Sequence, residues 1–174
     1  MKKISIAIAF SAVAAFPVLA SDSGFYIGAD VGRASTDVSG PGLTQSVDTS
    51  AGLIGGYQIS RALALEAKYD QMGKIGMGND YSLNAASLAA IGILPVGNTD
   101  FTLRGKFGYA RTSLDAPNTS SENGIVVGIG GQYKLTKAVG LRFGLDRYDV
   151  GNSAIIPGGH TTELYAGVAY RFGE

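Results

Sequence analysis

Cysteine and tryptophan are absent from this chain, and histidine occurs once. No disulfide framework, zinc site or cysteine nucleophile can be built from such a set. Charge is sparse: Asp, Glu, Lys and Arg make up 16% of the 174 residues, against an average of about 25%. It is also balanced at 14 basic and 14 acidic side chains, so the basic excess of a nucleic-acid binder is missing. Beyond residue 20 no apolar run reaches the length of a membrane-spanning helix. The best stretch, 85–96, is about a dozen residues long and contains Pro95, well short of the ~20 required. What the chain has instead is glycine, 26 of 174 residues, set among 45% hydrophobic ones. That apolar content excludes disorder, and glycine scattered between apolar and aromatic residues disfavours helices and marks strands. The length suits a single domain.

The first 20 residues read as an export signal. Lys2 and Lys3 form a basic start, an apolar stretch over 4–15 is interrupted only by Ser5 and Ser11, Pro17 breaks it, and Val18, Leu19 and Ala20 precede the expected cleavage point. The competing reading, a retained anchor, fails on length. Cleavage after Ala20 removes two lysines and no acids, leaving 12 basic against 14 acidic residues, a charge of −2. Residues 1–20 are thus assigned to a signal peptide and 21–174 to one folded domain.

Alternation with period two fills that domain. Phe25, Ile27, Ala29 and Val31 oppose Tyr26, Gly28, Asp30 and Gly32; Leu63, Leu65, Ala67 and Tyr69 oppose Ala64, Glu66, Lys68 and Asp70. Phe101, Leu103, Phe107 and Tyr109 oppose Thr102, Arg104, Lys106 and Gly108, and Val139, Leu141, Phe143 and Leu145 oppose Gly140, Arg142, Gly144 and Asp146. Leu164, Ala166, Val168, Tyr170 and Phe172 oppose Tyr165, Gly167, Ala169 and Arg171. Segments 51–59, 81–94 and 124–134 complete a set of eight with weaker patterns, and in 81–94 both parities carry apolar or small residues. Pro41, Pro95, Pro117 and Pro157 fall in connections, where strand pairing is not interrupted. Long connections (34–50, 72–80, 112–123 and 150–162) alternate with short ones (60–62, 95–100 and 135–138). In an up-and-down meander all the long ones emerge at one end, the asymmetry of an outer-membrane barrel.

Eight strands can close into a soluble barrel or a membrane barrel, and the two differ in which face is apolar. Here one face is continuously apolar or aromatic. The other interleaves glycine with Asp30, Glu66, Asp70 and Asp146 against Lys68, Arg104, Lys106 and Arg142. A solvated outer face would be crowded with Lys, Glu, Ser and Thr. Glycine belongs where eight strands leave little room, and opposite charges in equal number belong where an unpaired ion is costly. The expected fold is all-β, an eight-stranded antiparallel up-and-down transmembrane β-barrel. Phe25, Tyr57, Tyr69, Phe101, Tyr109, Tyr133, Tyr170 and Phe172 near strand ends supply interfacial girdles.

At these residues the sequence resembles the transmembrane domain of OmpA-type outer-membrane proteins. GLIGGYQI at 52–59, LEAKYD at 65–70 and MGK at 72–74 look like that family's second and third strands; FYIGADVG at 25–32 looks like its first, and GVAYRFG at 167–173 like its last. The resemblance implies a barrel in the bacterial outer membrane, with its N-terminus and short turns in the periplasm and an interior plug of salt bridges, sometimes described as a gate on a narrow ion path. Glu66 and Arg142 fall where the family has its central glutamate and arginine. Gln132 replaces a second interior acid, and Asp30 stands where the family has a lysine, so the family's pairing scheme does not carry over intact. The family's periplasmic peptidoglycan-binding domain has no counterpart before Glu174, where this chain stops. The implied partners are outer-membrane lipids and lipopolysaccharide, the barrel-assembly machinery that reads the final strand around Phe172, and an extracellular ligand meeting connections 34–50, 72–80, 112–123 and 150–162.

Chemistry is thin. His160, in PGGHT at 157–161, is the single imidazole, and with Ser153 or Glu163 it is the one grouping for a lipid-modifying or proteolytic barrel. No spacing enforces a nucleophile, base and orienting group. GIGG at 128–131 lies within a strand pattern with no helix after it, so it is no nucleotide loop. NTS at 118–120 matches a glycosylation sequon without further support. Asp37, Asp48, Asp80 and Asp115 lack calcium-loop spacing. No catalytic, cofactor or metal site is expected. Three functions stay open: a structural or surface-interaction barrel, a narrow gated porin-like channel, and a barrel enzyme resting on His160.

Overall fold

The computed structural model describes residues 23–38, 46–76, 80–115, 120–150 and 159–173. Within them are eight strands: β1 (Gly24–Val38), β2 (Ser46–Gln58), β3 (Leu63–Gly76), β4 (Asp80–Pro95), β5 (Phe101–Asp115), β6 (Ser120–Lys134), β7 (Val139–Val150) and β8 (Gly159–Arg171). Each pairs antiparallel with its neighbours in sequence, and β1 pairs with β8, so the sheet closes on itself. The result is the expected eight-stranded antiparallel barrel, with no edge left to pair elsewhere.

The period-two pattern survives intact. On β3, Ala64, Glu66, Lys68, Asp70 and Met72 are buried while the residues between them are exposed. The other wall carries Ile27, Val31, Leu53, Leu65, Leu88, Phe107, Ile129, Leu141, Leu164 and Val168, all more than 40% exposed. An apolar surface on that scale is stable only against lipid. On β5 the apolar outer row runs from Phe101 to Tyr109 and on β8 from Leu164 to Phe172. About nine residues at ~3.3 Å each, tilted by roughly 40°, stand about 23 Å tall, close to the ~25 Å lipid-facing band of outer-membrane barrels.

All eight girdle aromatics lie on the outer parity. Phe25 packs on Tyr57 (ring centroids 4.7 Å apart), Tyr170 on Phe172 (5.0 Å), and Phe101 lies parallel to Phe143 (6.0 Å). These pairs sit at the short-turn end, and Phe101 and Phe143 lie over Gly131, where a side chain would displace both rings.

Three expectations need correction. The strands run well into the stretches read as long connections: 34–38, 46–50, 72–76, 112–115, 120–123 and 159–162 are strand. Ser, Thr and Asp stand on both parities there, with Thr36, Ser50, Thr112 and Thr161 buried on the inner one, so the alternation that marks a strand fades although the backbone pairing continues. Asp37, Asp48, Asp80 and Asp115 accordingly lie in strands rather than loops. Pro95 is the last residue of β4, not part of a connection. In β4, whose faces the sequence left open, Leu83, Ala85, Ser87, Ala89 and Ile91 point inward and Ala86, Leu88 and Ala90 outward. Among the described residues one bulge interrupts the ladders, between Gln71 and Lys74 of β3. Gly73 sits there at φ 84°, a left-handed conformation that favours glycine, and a Cβ on it would strike the Asp48 side chain. The proposed signal, 1–20, lies outside the described residues.

Candidate functional site in the barrel lumen

Side chains from six strands meet inside the barrel, and their geometry follows from parity and register. Gly56 sits beneath the Tyr26 ring, Gly52 beneath the carboxylates of Asp30 and Asp70, and Gly128 beneath Asp146; a Cβ at any of them would collide with those groups. Glycine here is space for a neighbour's long side chain.

Toward the short-turn end, Glu66 is surrounded by cations. Its Oε2 receives Arg142 Nη2 at 2.5 Å, Arg104 Nη2 at 3.1 Å and the Tyr26 hydroxyl at 2.8 Å. Its Oε1 lies 3.4 Å from Lys106 Nζ. Both guanidinium groups lie over the Tyr26 ring, at 5.8 Å for Arg104 and 5.5 Å for Arg142, in cation–π range. Arg104 also donates to Gln132 Oε1 at 2.8 Å. Where the resembled family has a second acid, a neutral amide takes the guanidinium's other hydrogen.

Toward the long-connection end the signs reverse. Lys68 Nζ lies 2.8 Å from Asp70, 2.8 Å from Glu163, 3.3 Å from Asp30 and 4.0 Å from Asp146. The Tyr165 ring sits under it, 4.4 Å to the centroid, and the Tyr148 hydroxyl donates to Asp70 Oδ2 at 2.8 Å. Carboxylate oxygens of Asp30, Asp70 and Glu163 come within 4.8 Å of one another, close enough together to hold a metal ion. The ammonium of Lys68 already lies against all three, so the chain supplies its own cation. Lys106 joins the two groups, 2.6 Å from Asp146 and 3.4 Å from Glu66.

All eight charged residues that parity placed inside, Asp30, Glu66, Lys68, Asp70, Arg104, Lys106, Arg142 and Asp146, are therefore in mutual ion-pair contact. Their side chains are at most 11% exposed. Sequence reasoning missed Glu163, fully buried on β8, because it falls between the connection read as 150–162 and the alternation read from Leu164, and was weighed only as a partner of His160. It shares the parity of Tyr165, Gly167 and Ala169, and carrying the β8 pattern one step further reaches it. His160 falls on the opposite parity, with outward-facing Leu164, so the two do not meet across one face. Ser153 lies outside the described residues. Tyr26, Tyr148 and Tyr165 were missed as well; in a row of glycine and charge, a tyrosine carries no mark of the hydroxyl or ring partner it will find.

The free space is uneven. A cavity of about 300 Å³ opens at the short-turn end, with Arg104, Gln132 and Tyr26 among its lining. Beside Lys106, Arg142, Asp146 and Tyr165 a void holds about 10 Å³, at the threshold for a single water.

No curated protein matches the chain in sequence. Among solved structures it is similar to neisserial surface protein A, at 24% identity over 86% of this chain and 99% of that one, with a TM-score of 0.72. It is also similar to the outer membrane protein OprG of Pseudomonas aeruginosa (16% identity, 88% and 98% covered, TM-score 0.57). The N-terminal β-barrel domain of OprF from the same organism is a further match (16%, 82% and 97%, 0.53). At these identities the likeness speaks for the fold. The model of the outer membrane protein beta-barrel domain matches residues 5–172, nearly the whole sequence, and the chain belongs to that family.

Proposed function

We propose that this barrel is a non-enzymatic outer-membrane scaffold: its lumen is plugged by the two ion clusters, and its work is done at the surface on the long-connection end. The observation that carries this reading is the interior itself. Nine charged side chains fill the cross-section in contact with one another, and past the mouth the described space narrows to the volume of one water. Small eight-stranded barrels are filled by side chains rather than open.

The reading includes export with loss of residues 1–20 and short turns facing the periplasm. It also includes lipid and lipopolysaccharide contact, assembly by the barrel machinery, and an extracellular ligand met by the polar strand extensions. Arg33, Arg111 and Arg147 support the lipid contact, since each is exposed on the outer parity just beyond the apolar row of its strand, at the level of outer-leaflet phosphates. Purified protein in a planar bilayer is expected to show no discrete conductance steps, and steady open conductance overturns the scaffold reading. Mass spectrometry is expected to find Ser21 at the N-terminus of membrane-extracted protein. Recovery as a soluble periplasmic protein overturns the location.

A second reading, a narrow gated ion path, draws on the mouth cavity ending at Arg104, which holds Glu66 at 3.1 Å. In that case Glu66→Ala or Arg142→Ala opens measurable conductance that the unaltered protein lacks. Unchanged conductance in both variants removes the gate.

A further inference from the structure

The cavity at the short-turn end has a composition unlike the rest of the chain. Its lining contains Arg61, Arg104, Lys134, Lys137 and Arg171 and a single carboxylate, Asp100. That is five cations against one anion in a protein whose totals are 14 and 14. The cations come from separate elements: Arg61 and Lys137 from the turns at 59–62 and 135–138, Lys134 from the end of β6, Arg171 from the end of β8, and Arg104 from β5. Four distant stretches of sequence thus deliver the same sign of charge to one concavity.

Depth adds to this. Arg104 is the floor, its side chain 11% exposed, and its guanidinium is shared between Gln132 and Glu66. Behind it Arg142 is buried against the same Glu66. The four carboxylates around Lys68 lie beyond, on the far side of Lys106 and Tyr165. An anion entering from the short-turn side therefore meets positive charge at the rim, on the wall and at the floor before it reaches any acid cluster. Walls of low polarity concentrate such a field. Ile93, Pro95 and Val139 supply them.

From this we propose that the short-turn mouth binds a water-soluble organic anion carrying two or more negative charges as phosphate or carboxylate groups. The volume of about 300 Å³ sits at the small end of ligand cavities and suits a compact polyanion rather than a polymer. Arg104 is the group that ties the site to the lumen: an anion drawing on its guanidinium competes with Glu66 and Gln132 for the same hydrogens.

Titration of the refolded full chain in a neutral sugar detergent tests this, with tripolyphosphate and citrate as probes at about 20 mM salt, where screening is weak. Saturable binding is expected. Lys134→Gln combined with Lys137→Gln, both exposed and outside the ion clusters, is expected to weaken it by about tenfold or more. Asp100→Asn, which removes the one opposing charge, is expected to tighten it. Lys74→Gln, on β3 toward the other end, is expected to change nothing. The proposal is overturned by absence of saturable binding, by affinity indifferent to the double lysine change, or by an equal loss in Lys74→Gln, which reports adsorption by any cation.

Discussion

The two charged clusters of the lumen are inversions of each other. In one, a carboxylate (Glu66) is held by Arg104, Lys106 and Arg142; in the other, an ammonium (Lys68) is held by Asp30, Asp70, Glu163 and, further off, Asp146. Each has a tyrosine hydroxyl on a carboxylate at 2.8 Å, Tyr26 on Glu66 and Tyr148 on Asp70. They differ in redundancy. Lys106, if it loses Glu66, still has Asp146 at 2.6 Å, whereas Asp70, Glu163 and Asp30 share Lys68 as their one cation among the ion pairs of the described residues. A buried ion keeps its charge only while an opposite charge stays near. The cluster built on a single cation is therefore the more fragile.

The largest effect is expected from Lys68→Met, which leaves three buried carboxylates facing one another. A loss at or above the ~3–5 kcal/mol typical of breaking a buried pair is expected in urea unfolding in lipid vesicles. A cost smaller than that of Glu66→Ala would reverse the ranking of the two clusters. Next comes Glu66→Ala, at roughly 3–5 kcal/mol because two arginines are left without their anion. The double change Glu66→Ala with Arg142→Ala is expected to cost less than Glu66→Ala alone. Strict additivity in that cycle would show that the 2.5 Å contact carries no coupling.

Charge on the other wall sharpens the contrast. An arginine has partners in the lumen and none in lipid, so Leu141→Arg or Val168→Arg is expected to cost roughly 2–4 kcal/mol. Tolerance of either, measured by the same unfolding assay, breaks the assignment of faces. The smallest effects belong to the hydroxyls. Tyr148→Phe and Tyr26→Phe each remove one hydrogen bond to a carboxylate, worth about 1.5–3 kcal/mol. The loss is expected to be greater for Tyr148, since Glu66 keeps two guanidinium donors and Asp70 keeps one ammonium.

How far the sequence discloses this arrangement depends on the environment each residue faces. Alternation was readable wherever one wall met lipid and the other a charged lumen, as at Leu63 to Asp70 or Val139 to Asp146. It failed at Ser46 to Ser50 and Thr161 to Thr162, where polar residues occupy both parities, so the burial of Ser50 and Thr161 leaves no polarity contrast in the sequence. It failed in β4 for the opposite reason. The inner row of Leu83, Ala85, Ala89 and Ile91 is apolar like the outer one, because this wall adds no member to either ion cluster. Inward parity identified eight of the nine charged residues, but which acid meets which base is set by strand register and barrel closure. Lys68 and Glu163 are 95 positions apart, and nothing local in either segment announces the other.

Barrel closure has a consequence for biogenesis. Strand β1 pairs with β8, so the first and last strands of the described chain must meet before the wall is complete. Glu163 arrives with that same strand and supplies one of the two shortest contacts to Lys68. A chain inserted only as far as β7 holds an open seam and a lysine short of one of its carboxylates. Contacts this distant in sequence form slowly, and an open seam leaves backbone groups that lipid cannot satisfy. Arrival of the final strand thus seals the backbone and completes the carboxylate shell of Lys68 in one event, which would let completed molecules settle in the bilayer while truncated ones remain exposed to degradation.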